Sequence, residues 1–212
     1  MKKVISLSLA FSVFVGAQGL SVGEHYTLRS YTGQAFGSAM ANALKFKSIH
    51  VITNNTSICS SLVGAIGSEY LDPEGNRRML VTVLNSPEDA RGLSPKEEAV
   101  LIILGGQLAQ DANYGLLKNT LRQLAEAKYN GAIFFHLRVF APKLVERAAQ
   151  EDQTIAQYLE KKENLFSVTP DLPNKSVKLV QVSVKEGKQG IAKELGTVKM
   201  NPVWEELFKR SL

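Results

Sequence analysis

From residue 33 to residue 162 the chain alternates stretches of helical apolar spacing with short apolar runs bounded by turn residues. Gly33–Phe46 is rich in small residues and sets Ala35, Phe36, Ala39, Met40, Ala43 and Leu44 at helical spacing, which predicts a closely packed helix. Ser48–Thr53 reads as a strand. The polar turn Asn54–Ser57 leads into Ile58–Leu71, a helix despite Gly64 and Gly67. Asp72-Pro73-Glu74-Gly75-Asn76 is a turn, because Pro73 presets φ and Gly75 allows positive φ. Arg78–Leu84 is the next strand. Ser94-Pro95-Lys96-Glu97 has the form of a helix start, with Ser94 as cap and Glu97 closing a capping box. That helix is expected to run through an all-apolar segment to about Gln110. A second helix, Tyr114–Lys128, lines up Leu117, Leu121, Leu124 and Ala125, and Gly131 ends it. Ala132–Phe140 is a near-continuous apolar run suited to a central strand. Pro142 opens a helix to about Gln150, and Asp152 caps its continuation to Lys162.

Such alternation predicts an α/β class: a layered α/β domain with a mostly parallel or mixed sheet. The two ends differ from it. Gln18–Gly23 reads as a flexible start and His25–Tyr31 as a weakly alternating edge strand. Val168–Pro173 carries two prolines, Ser176–Lys185 is a β-type segment, and Lys188–Gly196 is loop-like. Asn201-Pro202 starts a short helix with Trp204, Leu207 and Phe208. Residues 18–212 are read as one domain, with a C-terminal strand and short helix appended from about residue 175.

The first 17 residues change the address. Lys2 and Lys3 precede the apolar run Val4–Val15, and Val15-Gly16-Ala17 offers small or permissive residues for cleavage, the pattern of a secretory signal peptide. The run is too short for the roughly 30 Å of a bilayer core, which takes about 20 apolar residues. A cleaved signal places the protein in the periplasm or outside the cell, with no transmembrane segment after cleavage. Cys59 is the only cysteine, so no intrachain disulfide forms and the core must be self-sufficient.

Charge narrows the partners. The formal net charge is +5, and Lys2 and Lys3 account for two of those charges. So small an excess, with no aromatics interleaved among the late lysines, argues against nucleic acid. With 44% hydrophobic and 21% charged residues the composition is that of an ordinary globular protein.

Candidate chemistry gathers in three places. The strand-to-helix turn Thr53–Ser61 crowds hydroxyls and amides at a helix N-terminus, where free N–H groups favour an anion. Ser57 or Cys59 is the candidate nucleophile there, with His50 or His136 as base and Asn55 and Ser60 as ligand contacts. The loop Asn85–Gly92 follows a strand, where α/β sheets gather their sites, and offers Glu88, Asp89 and Arg91. Trp204 and Phe208 on the terminal helix are candidate contacts for a partner. Capping, core packing and solvated loops explain the same residues without a site. No zinc or phosphate-loop spacing occurs, Gly105-Gly106 lacks the following Lys-Ser/Thr, and no cofactor is implied.

The leading functional expectation is an exported α/β protein that acts by binding. It would be an accessory or assembly component of a bacterial envelope system such as a secretion, conjugation or pilus apparatus, with protein partners in the envelope. Two alternatives stay open: a small exported hydrolase or transferase using the Thr53–Ser61 turn, and a secreted effector or toxin.

Overall fold

The computed structural model describes residues 19–211, so the leader-like segment 1–17 lies outside the described residues. Helix α1 spans Val22–Ser38 and continues through a wider π-helical turn, Ala39–Ala43. Strand β1 (Ser48–Asn54), helix α2 (Ser57–Tyr70), β2 (Arg78–Leu84) and β3 (Ala99–Ile103) follow. Next come α3 (Gln110–Glu126), β4 (Ala132–Phe135), the single turn α4 (Leu137–Phe140), α5 (Leu144–Glu151) and α6 (Gln153–Glu160). The chain closes with β5 (Leu165–Asp171), β6 (Ser176–Lys185), β7 (Lys188–Lys199) and α7 (Pro202–Arg210).

All seven strands form one sheet in the order β2-β1-β3-β4-β5-β6-β7. The β2-β1-β3-β4-β5 part is parallel throughout, and β5-β6-β7 is antiparallel. The mixed α/β class expected from the sequence is therefore the observed one. Strand pleating sends alternate residues to opposite faces. Val100 and Ile102 join the apolar layer of α3, α5 and α6, while Ala99, Leu101 and Ile103 join that of α1, α2 and α7. Helices thus cover both faces, as a doubly wound sheet requires, and the strand order reverses between β1 and β3.

Five segments depart from the sequence expectation, among them the run Ala132–Phe140, of which only Ala132–Phe135 is strand because His136 caps α4. The helix expected from Ser94 to Gln110 is instead β3, buried at every position. A short run of β-branched residues ended by Gly105-Gly106 suits a strand covered on both faces, and periodicity alone cannot separate that from a buried helix. The expected edge strand His25–Tyr31 lies inside α1. Ser21 caps that helix: its Oγ accepts from the Glu24 N–H at 3.3 Å, and the Glu24 carboxylate accepts from the Ser21 N–H at 2.8 Å. Val168–Asp171 stays in β5 despite Pro170, because β4 pairs β5 only as far as Ser167 and leaves the proline's β4-facing side without a neighbour. Lys188–Lys199 is an edge strand joined to β6 by a tight turn at Glu186-Gly187, and it is exposed along most of its length.

Small residues set the distance between α1 and α2. A Cβ at Gly37 would sit 2.6 Å from the Ile66 carbonyl oxygen, and one at Gly33 would sit 2.6 Å from the Ala65 Cβ. Backbone cannot swing aside as a side-chain tip can. Gly37→Ala is therefore expected to lower the unfolding free energy by about 1–2 kcal/mol, overpacking outweighing the gain of roughly 1 kcal/mol in helix propensity. Urea unfolding checks it, and an unchanged or higher midpoint would mean the helices can part without cost.

Candidate functional site

The carboxyl ends of β3, β4 and β5 and the first turn of α2 open onto one cavity of about 470 Å³, roofed by α1 and α7. A buried amide network shapes its floor. Asn54, last residue of β1, donates through Nδ2 to the Gly105 carbonyl at 2.8 Å and to Asn113 Oδ1 at 2.9 Å. Its Oδ1 accepts from the Thr56 N–H and hydroxyl at 3.2 and 2.8 Å. These bonds tie the β1–α2 turn to the β3–α3 turn and to the start of α3. Gly106 fits between them with φ +69°; a Cβ there would lie 2.4 Å from Thr56 Oγ1. Only glycine lets the two turns close so tightly.

The cavity's charge comes from two arginines. Arg29, on α1, is 8% exposed and makes no hydrogen bond or salt bridge among the described residues. Burial first, then the nearby Arg138, disfavours its charge and lowers its pKa; an arginine nonetheless keeps its proton in a protein. Arg138 follows β4 and is exposed at the rim, where it donates to the Ser211 carbonyl at 3.1 Å. Among the described residues no aspartate or glutamate lines the cavity.

The remaining polar lining is neutral. His136 is buried, and desolvation, then Arg29 and Arg138, push its pKa down to about 3. Its Nδ1 accepts from the Arg138 N–H at 3.3 Å, capping α4, and its ring meets Phe36 edge-on. Two lining residues carry buried nitrogens with no hydrogen-bond partner among the described residues: His25 Nδ1 and Trp204 Nε1. Phe36, Ile58, Leu108, Val168 and Phe208 supply apolar walls. The arrangement is a pocket of ordinary ligand size, apolar along its sides, with one uncompensated cation held inside it.

A family model described as "Uncharacterized protein" matches residues 25–207. The chain belongs to that family. The match takes in His25, Arg29, Gly106, His136, Arg138 and Trp204, and stops just before Phe208. No curated protein matches the chain. Among solved structures, it is similar to a chain described as a branched-chain amino acid ABC transporter from Rhodospirillum rubrum. There the identity is 13% and the TM-score 0.43, over 66% of this chain and 37% of that one. It is also similar to the leucine-binding protein LivK from Thermotoga maritima MSB8, at 13% identity and TM-score 0.47, over 79% of this chain and 66% of that one. The chain thus spans less than two thirds of the length of either.

The residues singled out in the sequence fall in different places. Asn55, Ser57 and Ser60 are exposed on the outer side of the β1–α2 turn, Asn55 bonding Asn85 and Ser60 bonding back to the Thr56 carbonyl. Cys59 is buried beneath Gly106, and burial pushes its thiol pKa up. No hydrogen bond joins it to a histidine among the described residues. A thiol reagent at pH 8 is accordingly expected to label the native chain at least 100-fold more slowly than the urea-unfolded chain; equal rates would show an open, reactive thiol.

His50 faces elsewhere: its Nε2 lies 2.7 Å from Thr82 Oγ1 and its Nδ1 3.4 Å from Glu97, and none of these three lines the cavity. Asp89 is spent on capping, accepting from the Asn85 and Ser86 N–H groups at 2.8 and 3.1 Å. Glu88 and Arg91 border a small separate hollow with Asn119 and Gln123. Trp204 and Phe208 turn inward, packing in the core layer of α1 and α2 and lining the cavity. Of the candidates, His136, Trp204 and Phe208 therefore share one site, and it is built around Arg29 and Arg138, which the sequence did not single out. Among the described residues, no group of three or more His, Cys, Asp or Glu is placed to hold a metal.

Proposed function

We propose that the chain acts by binding, and that the cavity at the carboxyl ends of β3, β4 and β5 takes a small organic anion. One observation carries this: Arg29, a residue only 8% exposed, has no partner for its guanidinium and shares the cavity with no carboxylate among the described residues. A buried charge left alone costs several kcal/mol, and proteins keep such charges only when something pairs them. An anionic oxygen entering the cavity supplies that pair, and the planar guanidinium holds it in a two-point grip. The location agrees with the general placement of ligands in open parallel sheets.

The thermal midpoint of the purified chain is expected to rise with millimolar small carboxylates or phosphate monoesters, and not with their neutral amides or alcohols. A response that ignores charge would contradict the proposal. The site of action we infer is the periplasm or beyond, supported by the basic-then-apolar segment 1–17. There the chain serves as the binding accessory of an envelope system such as a secretion, conjugation or pilus apparatus. Cell fractionation and native size test that role: an envelope-associated complex supports it, and a cytoplasmic monomer contradicts it. Among the described residues no helix is long and apolar enough to cross a membrane. The hydrolase or transferase alternative gains nothing from the Thr53–Ser61 turn, whose Asn54 and Thr56 are committed to structure and whose thiol is buried.

A further inference from the structure

Resting on that anion-binding proposal, we infer that the ligand is a carboxylate with an apolar body and no ammonium group. The cavity sorts ligands by what it lacks. Its uncommitted groups include two donors: the guanidinium of Arg29, a residue 8% exposed, which offers five N–H groups and no acceptor, and the buried indole N–H of Trp204, also donor only; the buried His25 Nδ1 is the third uncommitted group. A ligand that satisfies them presents acceptors. A carboxylate is acceptor only and fits both, whereas an ammonium brings three more donors into a place already short of acceptors.

Apart from His25 Nδ1, which has no partner among the described residues, the surroundings offer the ammonium no relief. No carboxylate lines the cavity among the described residues. Glu24, one helical turn and a residue before Arg29, is bound to Arg210 at 2.6 Å and to the Ser21 N–H. Asn113 Oδ1 is taken by Asn54, and the Ser211 carbonyl by Arg138. The glutamines of the cavity wall, Gln107 and Gln110, are exposed. His136 is neutral and its Nδ1 already accepts from the Arg138 N–H. Two like-charged guanidiniums repel any cation that enters. The walls of Phe36, Ile58, Val168 and Phe208 match a hydrocarbon body and give nothing to a second charge.

Calorimetric titration of the full chain with four compounds of one shape tests this: 3-phenylpropanoate, L-phenylalanine, 3-phenylpropanamide and phenyl phosphate. The expected result is binding of 3-phenylpropanoate, at least 30-fold weaker binding of phenylalanine, and no measurable binding of the amide. Arg29→Met is expected to lose the 3-phenylpropanoate signal at least 100-fold while unfolding cooperatively. Phenylalanine within threefold of 3-phenylpropanoate would overturn the exclusion of ammonium and leave the anion-binding proposal standing. Phenyl phosphate bound in clear preference to the carboxylate would overturn the ligand class and also leave that proposal standing. An amide as good as the acid, or no binding by any of the four, would overturn both.

Discussion

Arg29→Met is expected to make the ligand-free chain more stable while abolishing its capacity to bind an anion. The two effects share one cause. A guanidinium with no partner among the described residues is held at 8% exposure, so its desolvation is not offset until a ligand arrives. Methionine keeps an apolar stem of similar length and removes the charge. The unfolding free energy should rise by about 1–4 kcal/mol, on the scale seen when buried ion pairs are exchanged for well-packed apolar residues. A structural arginine behaves oppositely, since truncating one partner of a buried ion pair costs about 3–5 kcal/mol. Urea unfolding of the two proteins without ligand therefore separates the readings by sign. A destabilised variant would mean that Arg29 has a partner within the chain.

Acid should unfold this protein partly through His136. The group is neutral when folded, with its pKa pushed down to about 3 by burial and by Arg29 and Arg138, against about 6.5 for an unperturbed histidine. Because the folded value is the lower, the unfolded chain takes up the proton first as pH falls. The contribution is complete above about pH 6.5 and is lost at about 1.4 kcal/mol per pH unit down toward pH 3. His136→Asn keeps a cap acceptor for the Arg138 N–H and removes the titration. The stability gap between the parent and the variant is expected to shift by about 2 kcal/mol between pH 6.5 and 4.5. The difference matters more than either curve, because His50 is also shifted down by burial and contributes a slope of its own. Parallel curves would show that His136 is charged or exposed in the folded chain.

How far the sequence revealed these features depended on burial and periodicity. The strands β1, β2, β4 and β6 and the helices α2, α3, α5, α6 and α7 were legible because turns or caps bound them and one face or both are apolar. Asp152 and Asn201 cap α6 and α7 as their residue types suggest. The misread segments lack that contrast. The polar and apolar residues of α1 are spread almost evenly around it, because its inner face is made of glycines, Thr32 and Arg29 as well as Leu28 and Phe36. β7 is exposed along most of its length and has no apolar face to announce it.

The same blind spot hid the site. Read as a strand, His25–Tyr31 gives Arg29 no significance; read as a helix, it sets a charge on the stripe of Leu28, Thr32 and Phe36 that packs inward. The Ser21-x-x-Glu24 capping signal was present and would have supplied that frame. Arg138 was hidden for a different reason, since Ala132–Phe140 reads as one apolar run although β4 stops at Phe135 and His136 caps a new turn. That cavity residues on α1 and α7 and in the turns after β3 and β4 converge is a property of strand order, which no local pattern encodes.

A crystal structure of the chain grown with 3-phenylpropanoate would put the matter to its test. The expected density is a carboxylate within hydrogen-bond distance of the Arg29 guanidinium, with the phenyl group against Phe36, Ile58 or Phe208. An empty cavity at saturating ligand, or Arg29 found paired to a carboxylate of its own chain, would contradict an anion-binding role for this fold.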